Sequence, residues 1–452
     1  MAQGHRATVS LVLLGLGLAL TIIVLAVVLS RRHAHCGPKA FAHAAVAADS
    51  KVCSDIGRAI LQQQGSPVDA TIAALVCTGV VNPQSMGLGG GVIFTIYNAT
   101  TGKVEVINAR ETVPASHTQG LLDQCEKALP LGTGSLLTLQ DLVTFQPEVV
   151  DALEMPLGNY TLYSPPPPAG GAILSFILNV LRGFNFSTES VAGPEGRVSM
   201  YHHLVETLKF ARGQRWRLWD PRRHPEVQNA SKDLLGEALA QHIRQQIDER
   251  GDHQLSHYNL AGAWGHRMGT SHVSVLGEDG SAVSATSTIN TPFGAMVYSP
   301  RTGILLNNEL LDLCWRYSPG SSVTPPPVPG ERPPSSMVPS ILVNKDQGSK
   351  LVIGGAGGEL IISAVVQTIM NKLWLGFDLT AAIAAPILHV NDKGHVEYEP
   401  SFSQEVQKGL QDRGQNQTQK MFFLNVVQAV SQEDTCVYAV SDWRKSGEAA
   451  GY

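Results

Sequence analysis

The stretch Gly269–Gly294, GTSHVSVLGEDGSAVSATSTINTPFG, constrains this 452-residue chain more than any other. Ser271, Val273 and Val275 alternate with His272, Ser274 and Leu276, the period of two that sends neighbouring side chains to opposite faces of a strand. Asp279-Gly280 is the dipeptide of a tight hairpin turn, in which both positions ask for positive φ. Ser281 to Asn290 then returns as a second strand. Pattern alone describes an edge hairpin rich in hydroxyls: Thr270, Ser271, Ser274, Ser281, Ser284, Thr286, Ser287 and Thr288.

Gly269-Thr270 offers a chemical reason for that density. A threonine hydroxyl is a poor nucleophile until a base takes its proton. A cut between Gly269 and Thr270 would give Thr270 a free α-amine with a reference pKa of about 7.7–8.0, on the same residue as the hydroxyl. Gly269 suits such a cut, because it has no side chain to obstruct Thr270 Oγ on its way to the preceding carbonyl.

Thr-Ser-His-Val-Ser from Thr270, the run from Gly280 to Asn290 and Phe293-Gly294 together resemble the signature of the γ-glutamyltransferases, also called glutathione hydrolases. The resemblance runs from about Ala44 to Tyr452 and is greatest to the leukotriene-cleaving type. It implies an α/β fold, the αββα sandwich of N-terminal-nucleophile hydrolases, with two stacked antiparallel sheets between helix layers. It also implies self-cleavage into a large part, 44–269, and a small part, 270–452, which stay associated. The implied reaction is acyl transfer. Thr270 attacks a γ-glutamyl amide with its own amine as base, Thr288 orients it, and Gly357 and Gly358 hold the oxyanion. Glutathione, its conjugates and leukotriene C4-like molecules are the implied donors. Water, amino acids or dipeptides are the acceptors, and no cofactor or metal is implied.

Several other residues fit a γ-glutamyl head group. Arg110, in Asn108–Thr112, carries a planar fork that matches a carboxylate; unaided, a surface ion pair explains it as well. Glu309 and Asp312 stand three apart and share one helical face. By resemblance they hold the substrate ammonium with Asn290, while Ser335 and Ser336 donate to its carboxylate. Gly354-Gly355-Ala356-Gly357-Gly358 opens a helix, where bare N–H groups favour an anion. No P-loop lysine follows, so an oxyanion hole fits better than a phosphate site. A β-lactam acylase of the same mechanistic class is the rival enzyme, but it gives no reason for Arg110 with two acids.

A net charge of -5 argues against general nucleic-acid affinity. Ala7–Ser30 is uncharged and long enough to span a bilayer. The expected layout is a cytoplasmic tail (1–6), a single-pass type II anchor at the plasma membrane (7–30), a stalk (31–43) and an extracellular body. Arg31 and Arg32 weakly favour the opposite orientation. Five Asn-x-Ser/Thr sequons, at Asn98, Asn159, Asn185, Asn229 and Asn416, favour an extracellular body. The six cysteines show no metal-binding spacing; Cys53 and Cys77 match the family's disulfide.

Helices are expected over Val46–Gln63, from Pro67 with Ser66 as N-cap, and over Leu234–Ile247. Arg212–Arg223 reads as a solvated basic face, and Trp219, where relatives carry glycine, as a crowded turn. Asp248–Arg267 reads as an irregular lead-in to the cut, and Ser318–Pro334 as a lid loop. One departure from the family stands out. A long, largely helical segment is missing where Gly134 runs straight into Ser135. That loss is expected to uncover apolar surface and to weaken the geometry that self-cleavage needs. A membrane glycoprotein of this family that stays uncut is therefore the alternative to the enzyme.

Overall fold

A computed structural model describes residues 17–22, 36–37, 40–115, 137–260, 269–316, 327–419 and 424–452. The expected anchor lies outside these residues except for 17–22. Among the described residues no helix is long and apolar enough to cross a membrane. The Gly134–Ser135 junction, the end of the lead-in to the cut and most of the lid loop also lie outside.

Two seven-stranded antiparallel sheets form the centre. One runs, in spatial order, Ala450–Gly451, Ala45–Ala47, Ser271–Leu276, Ala282–Thr288, Gly91–Tyr97, Val104–Ala109 and Glu148–Asp151. The other runs Ala40–Phe41, Cys436–Val440, Val426–Glu433, Lys350–Ala356, Ser340–Val343, Tyr160–Ser164 and Leu153–Leu157. Helices Lys51–Gln62 and Pro67–Val81 cover the first sheet; Gly171–Arg182, Leu360–Leu373 and Leu379–Ala384 cover the second. The order is helix, sheet, sheet, helix, the expected four layers.

The hairpin is central rather than an edge, and every residue of both its strands is buried. Its two faces differ in chemistry. Val273, Val275, Val283 and Ala285 pack beneath the helical pair with Ala70, Ala74 and Leu75. His272, Ser274, Ser284 and Thr286 face the other sheet. There Ser274 Oγ donates to Gln428 O at 3.1 Å and Ser284 Oγ to Ile353 O at 2.9 Å. His272 bridges Thr286 Oγ1 (2.8 Å) and Ser274 Oγ (3.0 Å). Toward the turn the same inter-sheet layer becomes apolar, with Leu276, Ala282, Val352 and Val430 in contact. The turn itself differs from expectation. Gly277 N donates to Ser281 O, closing a three-residue loop in which Gly280 alone of the Asp279-Gly280 pair has positive φ, 80°. Asp279 instead caps the loop by accepting from Ser281 N.

Ser66 and Asp69 form the reciprocal cap that starts Pro67–Val81. Three expectations need correction. Val46 lies in the strand Ala45–Ala47, and the helix begins only at Lys51, because pairing with Ser274–Leu276 takes precedence over local helical periodicity. Gly236 splits the Leu234–Ile247 helix into Glu226–Leu235 and Glu237–Gln246. Arg212–Arg223 is only in part a solvated face: Trp216, Arg222 and Arg223 are exposed, but the Arg212 side chain is buried on Glu359 at 3.1 Å, and Arg222 and Arg217 reach carboxylates. Trp219 stacks edge-on against His224, so the turn accommodates it.

Cys53–Cys77 joins the two covering helices, with an S–S length of 2.01 Å. Cys36–Cys436 closes a loop across a sequence separation of 400. With Ala40–Phe41 paired to Val437–Tyr438, it fastens part of the expected stalk to the body. All five sequon asparagines are exposed.

Gly354 faces His272 across the two sheets, and a Cβ there would lie 2.3 Å from the ring carbon Cε1. Gly354→Ala should therefore destabilise the fold by about 1–3 kcal/mol through overpacking, read as a lower denaturant midpoint with unchanged slope. An unchanged midpoint would show that the sheets can separate there at no cost.

Candidate active site

Thr270 and Thr288 continue the polar inter-sheet face to the end of the hairpin. They line one cleft with Arg110, Asn290, Glu309, Asp312, Ser335, Ser336, Met337, Gly358, Glu359 and Ile361. Nearly every residue expected at the site is thus brought together. Gly357 precedes Gly358 where the facing sheet strand ends and Leu360–Leu373 begins. Gly357 and Gly358 have φ of 122° and 61°, and a Cβ on Gly357 would meet Leu424 O at 2.1 Å. Glycine is required there by backbone conformation and by space.

The chain is continuous through Gly269-Thr270. Thr270 Oγ1 donates to Gly269 O at 2.7 Å, and Thr288 Oγ1 donates to the same carbonyl oxygen. Asn290 N donates to Thr288 Oγ1 at 2.8 Å, which leaves the Thr288 proton for Gly269 O. The Thr270–Thr288 hydroxyl contact is longer, 3.4 Å. Thr288 therefore bears on the Gly269 carbonyl at least as directly as on the Thr270 hydroxyl. Gly269 is small for a reason beyond the one expected: a Cβ would sit 2.6 Å from Asn290 O.

Beside Thr270 lies a buried charge cluster. Arg110 is fully buried; Nη1 donates to Glu309 at 2.7 Å and Nη2 to Asp312 at 2.5 Å. Its Nε and Nη2 also donate to Pro333 O and Pro334 O. Four of its five N–H groups are thus committed, and the fork expected to meet a carboxylate is held by the two acids. Asn290 Nδ2 donates to Asn308 O at 3.0 Å. Burial opposes the Arg110 charge, but Glu309, Asp312 and Glu111 outweigh it and hold the guanidinium as a cation. Burial also pushes the Glu309 carboxyl well above the usual range and Glu111 up to about 7, although Arg110 pulls both down. On the hairpin, burial pulls His272 down to about 3, so its ring is neutral.

Sequence reasoning missed two cations next to these residues. Lys445 Nζ donates to Thr270 O at 2.5 Å and pairs with Asp49 at 2.7 Å. Asp49 in turn accepts from Gln428 Nε2 at 2.6 Å, which ties the nucleophile's strand to both sheets. Arg215 Nη2 donates to Ser336 Oγ. The only signal for either was composition, a basic tail after Asp442 and an arginine-rich run.

The model of the gamma-glutamyltranspeptidase family matches residues 53–132 and 121–452. The chain belongs to the gamma-glutamyltranspeptidase family. It is 67% identical to glutathione hydrolase 5 proenzyme of Homo sapiens and 65% identical to that of Mus musculus, with the whole of each chain covered. A more distant relative, glutathione hydrolase 2 of Arabidopsis thaliana, is 29% identical over 91% of this chain and 94% of its own. The fold also matches the crystal structure of a cephalosporin acylase from Bacillus halodurans, with TM-score 0.74, 18% identity and coverage of 91% and 96%. At that identity the likeness speaks for fold alone.

Alignment with the human relative spans 586 positions against 452 residues here, so at least 134 positions have no counterpart in this gamma-glutamyltranspeptidase. The family match breaks within 121–132, next to the expected junction. The described residues that follow it expose apolar side chains: Leu139 is 77% and Val149 63% exposed, with Leu142 and Val143 beside them.

The raised carboxyls give a pH test. Across roughly pH 4.5 to 7 the fold keeps a proton on Glu111 that the unfolded chain releases, so its contribution to stability falls as pH rises through that window. Glu111→Gln removes that group. The Tm of the variant relative to the parent should therefore be higher at pH 8 than at pH 4.5. An equal difference at both values would show that Glu111 titrates normally in the fold.

Proposed function

We propose that this chain is a self-cleaving γ-glutamyl hydrolase and transpeptidase acting on glutathione. Family membership and the names of its relatives support the activity. The observation that carries the reading is the placement of Thr270 Oγ1 and Thr288 Oγ1 on the Gly269 carbonyl, beside a buried arginine and two acids.

Maturation begins with attack of Thr270 Oγ on the Gly269 carbonyl carbon. The oxyanion that forms lies under the Thr288 hydroxyl. The C–N bond breaks, the Thr270 nitrogen takes the proton, and an ester joins Gly269 to Oγ. Water hydrolyses the ester, leaving a Gly269 carboxylate and a Thr270 with both amine and hydroxyl free. In catalysis that amine takes the hydroxyl proton as Oγ attacks the γ-glutamyl carbonyl. Gly357 and Gly358 donate to the oxyanion. The leaving amine departs with the proton, and water or an acceptor amine releases the glutamyl group. The substrate head group is a zwitterion, as is the resting pair of Arg110 with Glu309 and Asp312. Binding exchanges one buried ion pairing for another, with the ammonium on the acids and Asn290, and the carboxylate at Ser335 and Ser336. Glutathione conjugates and leukotriene C4-like donors extend the same reading.

A second reading is supported by the apolar surface at Leu139–Val149: a chain of this family that folds but remains uncut. A denaturing gel separates the two. The parent should run as two fragments divided at Gly269-Thr270, and Thr270→Ala as one. A single band for a folded parent would establish the uncut form and remove the activity.

We also propose a type II topology with 7–30 as anchor and a glycosylated extracellular body. The exposure of all five sequon asparagines and the disulfides support it. Treatment of the membrane-bound protein with an N-glycosidase should increase its mobility; unchanged mobility would count against an extracellular body.

A further inference from the structure

Among the described residues two arginines are fully buried, Arg110 and Arg332, and no step of the proposed reaction uses the second. Arg332 lies near the end of the expected lid loop, shortly before Ser335. Its guanidinium donates through Nη1 to the Arg110 carbonyl, through Nη2 to Gln146 O at 2.8 Å and through Nε to Glu148 at 3.3 Å. Its backbone N–H donates to the buried Asp220 carboxylate at 2.9 Å, which also holds Arg222. Desolvating a guanidinium is costly, and apolar side chains of similar volume would fill the space at least as well. The reason for an arginine here lies in what it donates to.

Its main acceptor is a gap in a ladder. Arg110–Val113 and Gly330–Pro334 run side by side. Val113 N donates to Glu331 O and Gly330 N to Val113 O, both at 2.8 Å. Toward the cleft the Arg110 side chain reaches across, Nε to Pro333 O at 2.8 Å and Nη2 to Pro334 O at 3.0 Å. The residues opposite Arg110 are thus two prolines, and neither has an N–H to return to its carbonyl. A buried carbonyl needs a donor, and the Arg332 guanidinium supplies one in their place. The two arginines staple the segments reciprocally, each donating to backbone carbonyls of the segment that carries the other. One segment brings Arg110 to the cleft, and the other leads directly into Ser335 and Ser336. The staple therefore sets the spacing between residues that the γ-glutamyl reading gives to the substrate head group.

We propose that Arg332 is a positioning residue for head-group recognition: it fixes the backbone of Arg110 against the segment that carries Ser335 and Ser336. The inference rests on the γ-glutamyl reading. Loosening the staple would shift Arg110 relative to the serines. Thr270 belongs to the hairpin and Gly357-Gly358 to the end of the facing sheet, so both would stay in place. The role therefore belongs to substrate capture rather than to chemistry.

Steady-state hydrolysis of glutathione would be measured for the full-length parent, Arg332→Met, Arg332→Lys, Arg110→Lys and the Arg332→Met/Arg110→Lys pair, with thermal midpoints on the same samples. Arg332→Met roughly keeps the volume and removes every donor. Its KM should rise about 10-fold while kcat stays within about 2-fold. Arg332→Lys replaces a planar fork by one ammonium, so its KM should rise about 3-fold; this variant carries the test if Arg332→Met does not fold. The pair should be little worse than Arg110→Lys alone, because Arg332 acts through Arg110. A lowered midpoint with KM unchanged, a loss confined to kcat, or additive losses in the pair would each overturn the role of Arg332 and leave the γ-glutamyl reading standing. A parent that does not turn over glutathione would overturn that reading, and this role with it.

Discussion

The polar seam between the two sheets is the constraint on which the rest depends. Most sheet sandwiches set their spacing by interdigitated apolar side chains. Here that holds at the turn end, around Leu276 and Val352, and to one side, around Ile93, Val106 and Met337. At the other end, short hydroxyls donate to carbonyls of the facing sheet, and a neutral histidine sits against a glycine. Hydrogen bonds tolerate less variation in distance than apolar contacts. The seam therefore fixes the height of Gly354 above His272, and so places Gly357-Gly358 relative to Thr270 a few residues along. The position of Thr270 is thus set by a buried layer of hydrogen bonds between the sheets.

Beside that seam the fold concentrates buried charge where stability alone would not ask for it. Arg110, Glu111, Glu309 and Asp312 lie together with almost no solvent, and a buried ion pair rarely repays its desolvation. Two of the carboxyls have pKa values raised by burial. Carboxyls perturbed by burial beside a specific charge partner are concentrated at functional sites. The arginine's hydrogens are committed within the cluster, while both Glu111 oxygens and Glu309 Oε1 are buried without a hydrogen-bond partner.

The sequence made the hairpin legible because its pattern is local: alternating residues after Gly269-Thr270 name the strand Ser271–Leu276. Its turn was also visible, although only Gly280 of the Asp279-Gly280 pair has positive φ. What pattern could not convey was depth. Alternation of valine with serine suggests one solvated face, whereas the serines here face a second sheet. The same limit hid Lys445 and Arg215. Their contacts are with Thr270, 175 positions away, and Ser336, 121 positions away, and charge in a sequence defaults to the surface. Val46 failed for a related reason, since strand pairing overrode local helical pattern.

The missing segment bears on this arrangement less directly than its length suggests. Arg110 ends one strand, and its carbonyl accepts from Arg332 Nη1. Arg332 also donates to Gln146 O at 2.8 Å and pairs with Glu148 at 3.3 Å, so the chain beyond the junction is fastened to the site by residues that remain. The hairpin is shielded further, because two strands, Gly91–Tyr97 and Val104–Ala109, separate it from the edge strand Glu148–Asp151. The cost falls on the edge itself, where Val149 and the short helix Leu139–Thr144 turn apolar groups to solvent. An exposed edge strand with apolar neighbours invites association between chains. Loss of the segment thus threatens solubility and lifetime before it threatens the geometry of Thr270, and a failure of this chain to mature would begin at that edge rather than at the nucleophile.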